Sequence, residues 1–214
     1  MSQQASPAQA GKHDVINPAT EALVRTVAQP DLGQTDEAIA RAQAAGASWR
    51  EVVPADRGRL LRRFSEVVDS HLEELAQLEV SNSGHTIGNA RWEAGNVRDV
   101  LNYYSAAPER LFGRQIPVAG GLDVTFKEPL GTVGIIVPWN FTMPIAGWGF
   151  APARAACTTV VLTPAGPTPP TAHRPGGPPL GAGTAWGPPT ALRRSPVAGS
   201  LAGGPGGIDR YHLR

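Results

Sequence analysis

Asn140 is the residue whose type and position point most directly to chemistry. It follows the apolar run Val133–Val137 and the pair Pro138-Trp139. The run is short and rich in β-branched residues, which predicts a buried strand, and Pro138 ends it because proline has no N–H for the ladder. An asparagine amide can donate two hydrogen bonds, and one donor aimed at a developing oxyanion is worth roughly 3–4 kcal/mol of barrier. The alternative interpretation is that Asn140 is a turn residue whose side chain forms hydrogen bonds with nearby backbone groups.

A predicted βαβ unit positions Asn140. The apolar segment 143–153 separates the first strand from a second β-branched run at residues 158–162. Strand, crossover and strand is the pattern of a parallel sheet, and ligands bind such sheets just beyond the strand ends. We therefore predict an α/β fold with Asn140 at a ligand-binding edge.

Three helices are predicted upstream of this unit. Thr35 is expected to cap a first helix that runs to about Ala47. A second helix is expected from about Pro54 to the turn at residues 81–84, and a third ends before Pro108. Apolar residues at three- and four-residue steps indicate one buried face on the second and third helices, which is typical of scaffold.

Shorter extended segments complete the prediction. Residues 1–13 are small and polar, and we expect them to be disordered. Residues 23–28 are predicted to be extended. Gly120-Gly121, between two partly alternating runs, predicts a β-hairpin over residues 115–127.

Three ungapped motifs resemble the NAD(P)-dependent aldehyde dehydrogenase superfamily. They read E-P-L-G-x-V-G-I-I-x-P-W-N-F at 128–141, A-G-W-G-F-A-P-A at 146–153 and T-V-V-L-x-P-A at 159–165. Residues 16–21 and 126–129 are similar to that family as well, so the resemblance covers roughly residues 14–165.

The resemblance implies an amino-terminal portion of that family's fold. N-terminal helices would precede an incomplete Rossmann-like parallel sheet, and a disordered Pro/Gly-rich C-terminal tail would follow it. The implied domains are a disordered N-terminus at 1–13, the N-terminal helical part of the cofactor domain at 14–112, the β-hairpin of an oligomerisation arm at 113–128, the first βαβ of the NAD(P)-binding domain at 129–162, and the tail at 163–214.

The resemblance also implies roles for individual residues. Asn140 would help to hold the oxyanion that forms when a cysteine thiolate adds to an aldehyde. Ile136, Val137, Pro138, Trp139 and Asn140 would line NAD or NADP, largely through backbone and packing. The implied reaction oxidises a small-molecule aldehyde to a carboxylic acid, and the implied partners are copies of the chain or full-length subunits.

Departures from the family pattern limit what this chain is expected to do. Thr163 and Gly166 stand where the family usually has the Lys and Glu that hold the adenosine ribose, so we do not expect tight NAD(P) binding. The family's nucleophilic Cys and general-base Glu have no counterpart in the printed sequence. We therefore expect a truncated fragment that is inactive alone. The alternative is a non-catalytic partner of full-length subunits.

The single cysteine and the five histidines are weak candidates for chemistry. Cys157 could supply a thiolate, but no His or Glu stands at a defined spacing to activate it, and we expect a small buried or half-buried thiol. The histidines make no metal-ligand spacing with one another or with Cys157, so no metal site is expected.

Residues 163–214 differ in composition from the rest of the chain. They hold 11 of the 21 prolines and 11 of the 25 glycines. Because interior prolines forbid a helix, we interpret this segment as degenerate or frame-shifted. A flexible proline-rich ligand and a basic nucleic-acid arm are the alternatives.

The composition also excludes some functions. A net charge of +1 predicts no general attraction to nucleic acid or to an anionic membrane, and no apolar run is long enough to span a bilayer. The N-terminus lacks a secretory pattern, and one cysteine cannot form an internal disulfide, so a cytoplasmic location is expected.

Overall fold

A computed structural model describes residues 12–28, 31–163 and 210–212 of the 214-residue chain. These residues form seven strands, five α-helices and one 3₁₀ turn at Pro108–Arg110. In chain order the strands and α-helices are β1 Lys12–Ile16, β2 Leu23–Ala28, α1 Leu32–Glu51, α2 Pro54–Ser70, α3 Leu72–Ser83, α4 Ile87–Ser105, β3 Gln115–Val118, β4 Gly121–Val124, β5 Thr132–Ile136, α5 Thr142–Ala155, β6 Thr159–Thr163 and β7 Arg210–His212.

The predicted βαβ unit is confirmed. Strands β5 and β6 pair in parallel, from Thr132 opposite Thr159 to Ile136 opposite Thr163, and α5 is the crossover between them. A backbone hydrogen bond of 2.9 Å from the N–H of Val137 to the carbonyl of Thr163 extends this pairing by one residue. The strand ends that precede Asn140 are therefore tied to each other.

The structure corrects the start of the first helix. Asp31, rather than Thr35, caps α1, because its side chain accepts a 2.8 Å hydrogen bond from the backbone N–H of Gln34. The Gln34 side chain in turn accepts from the backbone N–H of Asp31 at 3.0 Å. This reciprocal capping box gives a hydrogen-bond acceptor to the backbone N–H groups of Asp31 and Gln34. A helix that began with a cap at Thr35 would not include either group.

The second predicted helix is in fact two. It breaks at His71, whose backbone leaves the helical region, and α3 begins at Leu72. The ring Nδ1 of His71 lies 2.8 Å from the carbonyl of Val67. Because the apolar steps continue across the break, periodicity alone gave no sign of it. The third helix and the hairpin form as predicted, as α4 and as β3 with β4.

Both ends of the described chain contain more strand than expected. Lys12 and His13, predicted to be disordered, belong to β1, where they pair with Ala28 and Val27 of β2. Thr163 belongs to β6, and residues 210–212 form β7, parallel to β5 on the side away from β6. Strand pairing thus reaches into the segment predicted to be a disordered tail. The rest of both segments, residues 1–11, 164–209 and 213–214, lies outside the described residues.

The main hydrophobic core lies where α5 packs against the sheet on one side and against α2 and α4 on the other. Gly149 permits this close approach, because a Cβ there would lie 2.7 Å from a side-chain atom of Ile135. The fully or nearly buried residues of this core include Leu61, Val68, Ala94, Val97, Leu101, Val133, Ile135, Val137, Met143, Phe150 and Ala151.

One charged residue, Arg154, lies in the buried face of α5. Its guanidinium carbon lies 3.7 Å from the centroid of the Trp49 ring, and Nη2 has no hydrogen-bond partner in the described part of the chain. Burial lowers the pKa of Arg154 to about 10, so the side chain is still charged at neutral pH. Burial of a charge costs several kcal/mol of stability, and the cation–π contact offsets roughly 2 kcal/mol of that cost.

We expect Arg154→Met to raise the free energy of unfolding by about 1–3 kcal/mol, because it removes a buried charge and keeps an unbranched side chain over Trp49. Chemical denaturation with a fluorescence readout measures this difference. Arg50→Met, at an exposed position in the last turn of α1, is the control and should change stability by less than about 0.5 kcal/mol. A loss of stability in Arg154→Met would show that the ring contact outweighs burial.

Candidate functional site

The site is the segment that leaves β5 and enters α5. Val137 is buried, at 2% exposure, and Pro138 is half-buried, whereas Trp139 and Asn140 are exposed. The hydroxyl of Thr142 donates a 3.2 Å hydrogen bond to the carbonyl of Pro138, which ties the first helical residue back to the end of the strand. The chain turns sharply here, and Asn140 lies at the turn.

Asn140 has the geometry of an available donor. Its side chain makes no hydrogen bond with the described residues, and α5 begins without a side-chain cap. An interpretation of Asn140 as a turn residue predicts such a local bond, so the structure offers no support for that alternative. The amide of Asn140 is therefore exposed and unpaired within the described part of the chain, at the carboxyl end of β5.

Aromatic packing holds the neighbour of Asn140 in place. The ring of Phe141 lies 5.9 Å from that of Trp92 and 6.5 Å from that of His85, both measured between centroids. Trp92 belongs to α4, and His85 belongs to the turn between α3 and α4. Sequence reasoning missed these two supports, because no short spacing connects either residue with Phe141.

The residues predicted to line a nicotinamide cofactor lie together but differ in exposure. Ile136 and Pro138 are half-buried, Val137 is in the core, and Trp139 is 56% exposed. Ile136, Pro138, Trp139 and Asn140 can therefore offer surface to a cofactor, whereas Val137 can contribute only through its backbone and packing. Their role in binding stays a prediction.

Thr163 does not fit the part of a cofactor site that needs a cation. It is 3% exposed, and its hydroxyl has no hydrogen-bond partner among the described residues. A buried neutral hydroxyl cannot replace a charge-assisted contact to a ribose. Gly166 lies outside the described residues. The strand-end residues thus offer accessible surface to a cofactor, whereas Thr163 does not.

Cys157 lies far from Asn140. It follows the C-terminus of α5, while Asn140 precedes the N-terminus, and a 14-residue helix is ~21 Å long. The thiol is half-buried, as predicted, and its Sγ lies 3.5 Å from the carbonyl of Trp49. This separation argues against Cys157 as a nucleophile acting at Asn140.

The backbone of Cys157 is in the left-handed region, with a φ of +61°. That conformation costs a residue with a Cβ roughly 1–2 kcal/mol and costs glycine almost nothing. We expect Cys157→Gly to raise the unfolding free energy by about 1 kcal/mol. Cys157→Ala separates the two contributions, because it removes the thiol and keeps the backbone cost. Equal stability of the two variants in denaturant titrations would contradict the backbone explanation.

A buried polar group includes His85, which contacts Phe141. Glu79 and Glu93 are 0% and 1% exposed, and Nδ1 of His85 lies 2.5 Å from Oε1 of Glu93. The pKa of Glu93 is raised to about 7, mainly by burial and to a smaller extent by the Glu79 carboxylate. His85 acts in the opposite direction and lowers this pKa. The prediction of no metal site rested on sequence spacing, and it did not consider this group of two glutamates and one histidine.

A comparison with protein families matches residues 5–175 to the aldehyde dehydrogenase family. Aldehyde dehydrogenase 1A1 of Mus musculus is 35% identical over 166 residues, which cover 75% of this chain and 33% of that protein. Aminoaldehyde dehydrogenase 2, peroxisomal, of Pisum sativum is 37% identical over 161 residues, which cover 70% of this chain and 32% of that protein. The chain thus spans about a third of the length of these relatives.

Solved structures agree with this assignment. PnpE in complex with nicotinamide adenine dinucleotide matches with a TM-score of 0.73 and 34% identity, over 75% of this chain and 34% of that one. An E. coli NADP dependent enzyme matches with a TM-score of 0.74 and 29% identity, over 76% of this chain and 34% of that one. The chain belongs to the aldehyde dehydrogenase family.

None of the helices in the described ranges is both long and apolar enough to cross a bilayer.

Proposed function

We propose that this chain supplies the oxyanion-binding asparagine and part of the cofactor-lining surface of an NAD(P)-dependent aldehyde dehydrogenase. The observation that carries the proposal is the exposed amide of Asn140 at the carboxyl end of β5, which has no hydrogen-bond partner among the described residues, in a chain of this family. The substrate is a small aldehyde, which the enzyme oxidises to a carboxylic acid. A cytoplasmic location is part of the proposal, because one cysteine cannot form an internal disulfide.

Asn140 would act on the carbonyl oxygen of the aldehyde. When a thiolate adds to the carbonyl carbon, the π electrons move to oxygen, and the amide of Asn140 donates a hydrogen bond to the new negative charge. Phe141 packs against Trp92 and His85, and this packing would limit movement of the turn that carries the donor. NAD(P), when bound, is the hydride acceptor.

We also propose that the 214-residue chain alone does not oxidise aldehydes. Cys157 is ~21 Å along α5 from the Asn140 turn, and Thr163 offers no cation to the cofactor. Purified chain should therefore give no aldehyde-dependent reduction of NAD or NADP in a spectrophotometric assay. Turnover above that of heat-denatured chain would overturn this part of the proposal.

A graft tests the Asn140 site independently of that result. Residues 14–162 of this chain would replace the matching segment of a full-length family member that retains its own nucleophile. We expect aldehyde-dependent NAD(P) reduction by the folded graft. A graft that folds and binds cofactor without any turnover would contradict the proposal.

A second candidate function is that of a non-catalytic partner. The hairpin β3–β4 is exposed along both strands and presents apolar side chains, with Phe126 just beyond it at 81% exposure. Within the described residues, β3 and β4 pair only with each other. Such an exposed apolar patch is typical of protein interfaces.

Co-expression with a tagged full-length family member tests this candidate. We expect the chain to co-purify, and Val118→Ser with Phe126→Ser to abolish the association. Tyr103→Ser, which removes an aromatic ring that is 74% exposed on α4, is the matched control and should leave association unchanged. Equal recovery of the hairpin variant and the wild type would exclude the hairpin as the interface.

A further inference from the structure

Two carboxylates and one imidazole meet where α3 turns into α4. Glu79 lies on α3, Glu93 lies on α4, and His85 lies in the turn between these helices. One ligand-capable atom from each of the three side chains lies within 4.8 Å of the other two. The carboxylates are fully buried, whereas the His85 side chain is 22% exposed, so the group reaches solvent through the imidazole.

The hydrogen bonds of this group are incomplete. Oε1 of Glu79 accepts a 2.8 Å bond from the hydroxyl of Ser83, and Oε1 of Glu93 lies 2.5 Å from Nδ1 of His85. Oε2 of each glutamate is buried and has no hydrogen-bond partner in the described part of the chain. A buried carboxylate oxygen without a partner is costly, and a single imidazolium could offset only one of the two charges.

We propose that Glu79, His85 and Glu93 bind a divalent transition-metal ion of the zinc class. The donors are one imidazole nitrogen and two carboxylate oxygens, which are ligands that Zn²⁺ accepts, whereas Mg²⁺ and Ca²⁺ favour oxygen alone. A dication would balance both carboxylates at once. Small side-chain rotations would bring the three atoms to the roughly 3.4 Å spacing that ~2.1 Å bonds in a tetrahedral site require. A water molecule would supply the fourth ligand of such a site.

The ion would act as a structural clamp. Its ligands come from two helices and from their connecting turn, so it would tie α3 to α4 across His85. The same histidine packs 6.5 Å from the ring of Phe141, which follows Asn140 in the sequence. This inference does not depend on the proposed function, because it concerns residues outside the Asn140 turn.

Titration of Zn²⁺ into the full chain, stripped with EDTA and then dialysed, tests the proposal. By isothermal titration calorimetry we expect one Zn²⁺ per chain and an increase in the thermal unfolding midpoint. Glu93→Gln should weaken binding by at least the roughly 10–100-fold that loss of an outer-shell partner costs a metal site. Glu66→Gln and His13→Gln, both outside the group, should bind Zn²⁺ like the wild type.

A second variant keeps the test decisive if Glu93→Gln fails to fold. His85→Lys places a fixed cation beside both carboxylates and removes the imidazole ligand, so the variant should fold and should lose the calorimetric signal. Absence of Zn²⁺ binding to the wild-type chain would overturn the proposal and would leave protons as the neutralising ions. Wild-type affinity in His85→Lys or in folded Glu93→Gln would overturn it as well.

Discussion

Asn140→Ala is expected to lower kcat by about 10²–10³-fold in a full-length enzyme that carries residues 14–162 of this chain. The loss is large because the amide donates to charge that develops only as the thiolate adds to the aldehyde. For the same reason KM should change little, since the hydrogen bond contributes mainly in the transition state. Steady-state NAD(P) reduction over a range of aldehyde concentrations separates the two constants.

Asn140→Asp distinguishes a donor from a turn residue. Aspartate has nearly the same shape and is equally suited to turns, but as a carboxylate it has no proton to donate and repels an oxyanion. We expect a loss of kcat at least as large as for Asn140→Ala. Asn102→Ala, on an exposed position of α4, is the control and should retain wild-type kcat. Retention of kcat in Asn140→Asp would remove the oxyanion role.

Leu101→Ala is expected to lower the free energy of unfolding by about 3–4 kcal/mol. Leu101 is 0% exposed and belongs to the core that α4 shares with α2, α5 and β5. Truncation would leave a cavity among close-packed neighbours, and the packing of α4 against α2 and α5 limits collapse. Denaturant titration followed by far-UV circular dichroism measures the change.

The control for this prediction is Leu111→Ala, because Leu111 is 47% exposed and should contribute less than about 1 kcal/mol. Comparable losses in the two variants would mean that α4 does not form the centre of the core. Such a result would also contradict the scaffold role assigned to the apolar stripe of the helix.

The helices show how far periodicity alone reaches. The sequence predicted one buried face of α4, formed by Ala90, Ala94, Val97, Leu101 and Tyr104. The first four are buried, and Tyr104 is half-buried against the core. The break between α2 and α3 at His71 was missed, because the apolar steps continue through it. The break depends on the backbone conformation of His71, which the periodicity does not report. The cap at Asp31 was missed because the flanking acidic residues made Thr35 an equally good cap by composition.

The sequence predicted one part of the site, and the other part depends on tertiary packing. The short β-branched run, its terminating proline and the family motif were enough to place Asn140 at the end of a parallel strand. Nothing in the local sequence could connect Phe141 with Trp92 and His85, which lie about 50 residues earlier in the chain. That support exists only because the turn between α3 and α4 packs beside the turn between β5 and α5.

By itself, the sequence determined the family, the βαβ unit and the position of Asn140, because these follow from local residue order. Only the tertiary structure decided that the Asn140 amide has no hydrogen-bond partner among the described residues, that Cys157 lies at the opposite end of α5, and that Glu79, His85 and Glu93 lie close together. The physical reason is that burial and charge proximity depend on which distant segments pack together. A spacing rule within one segment carries no information about that packing.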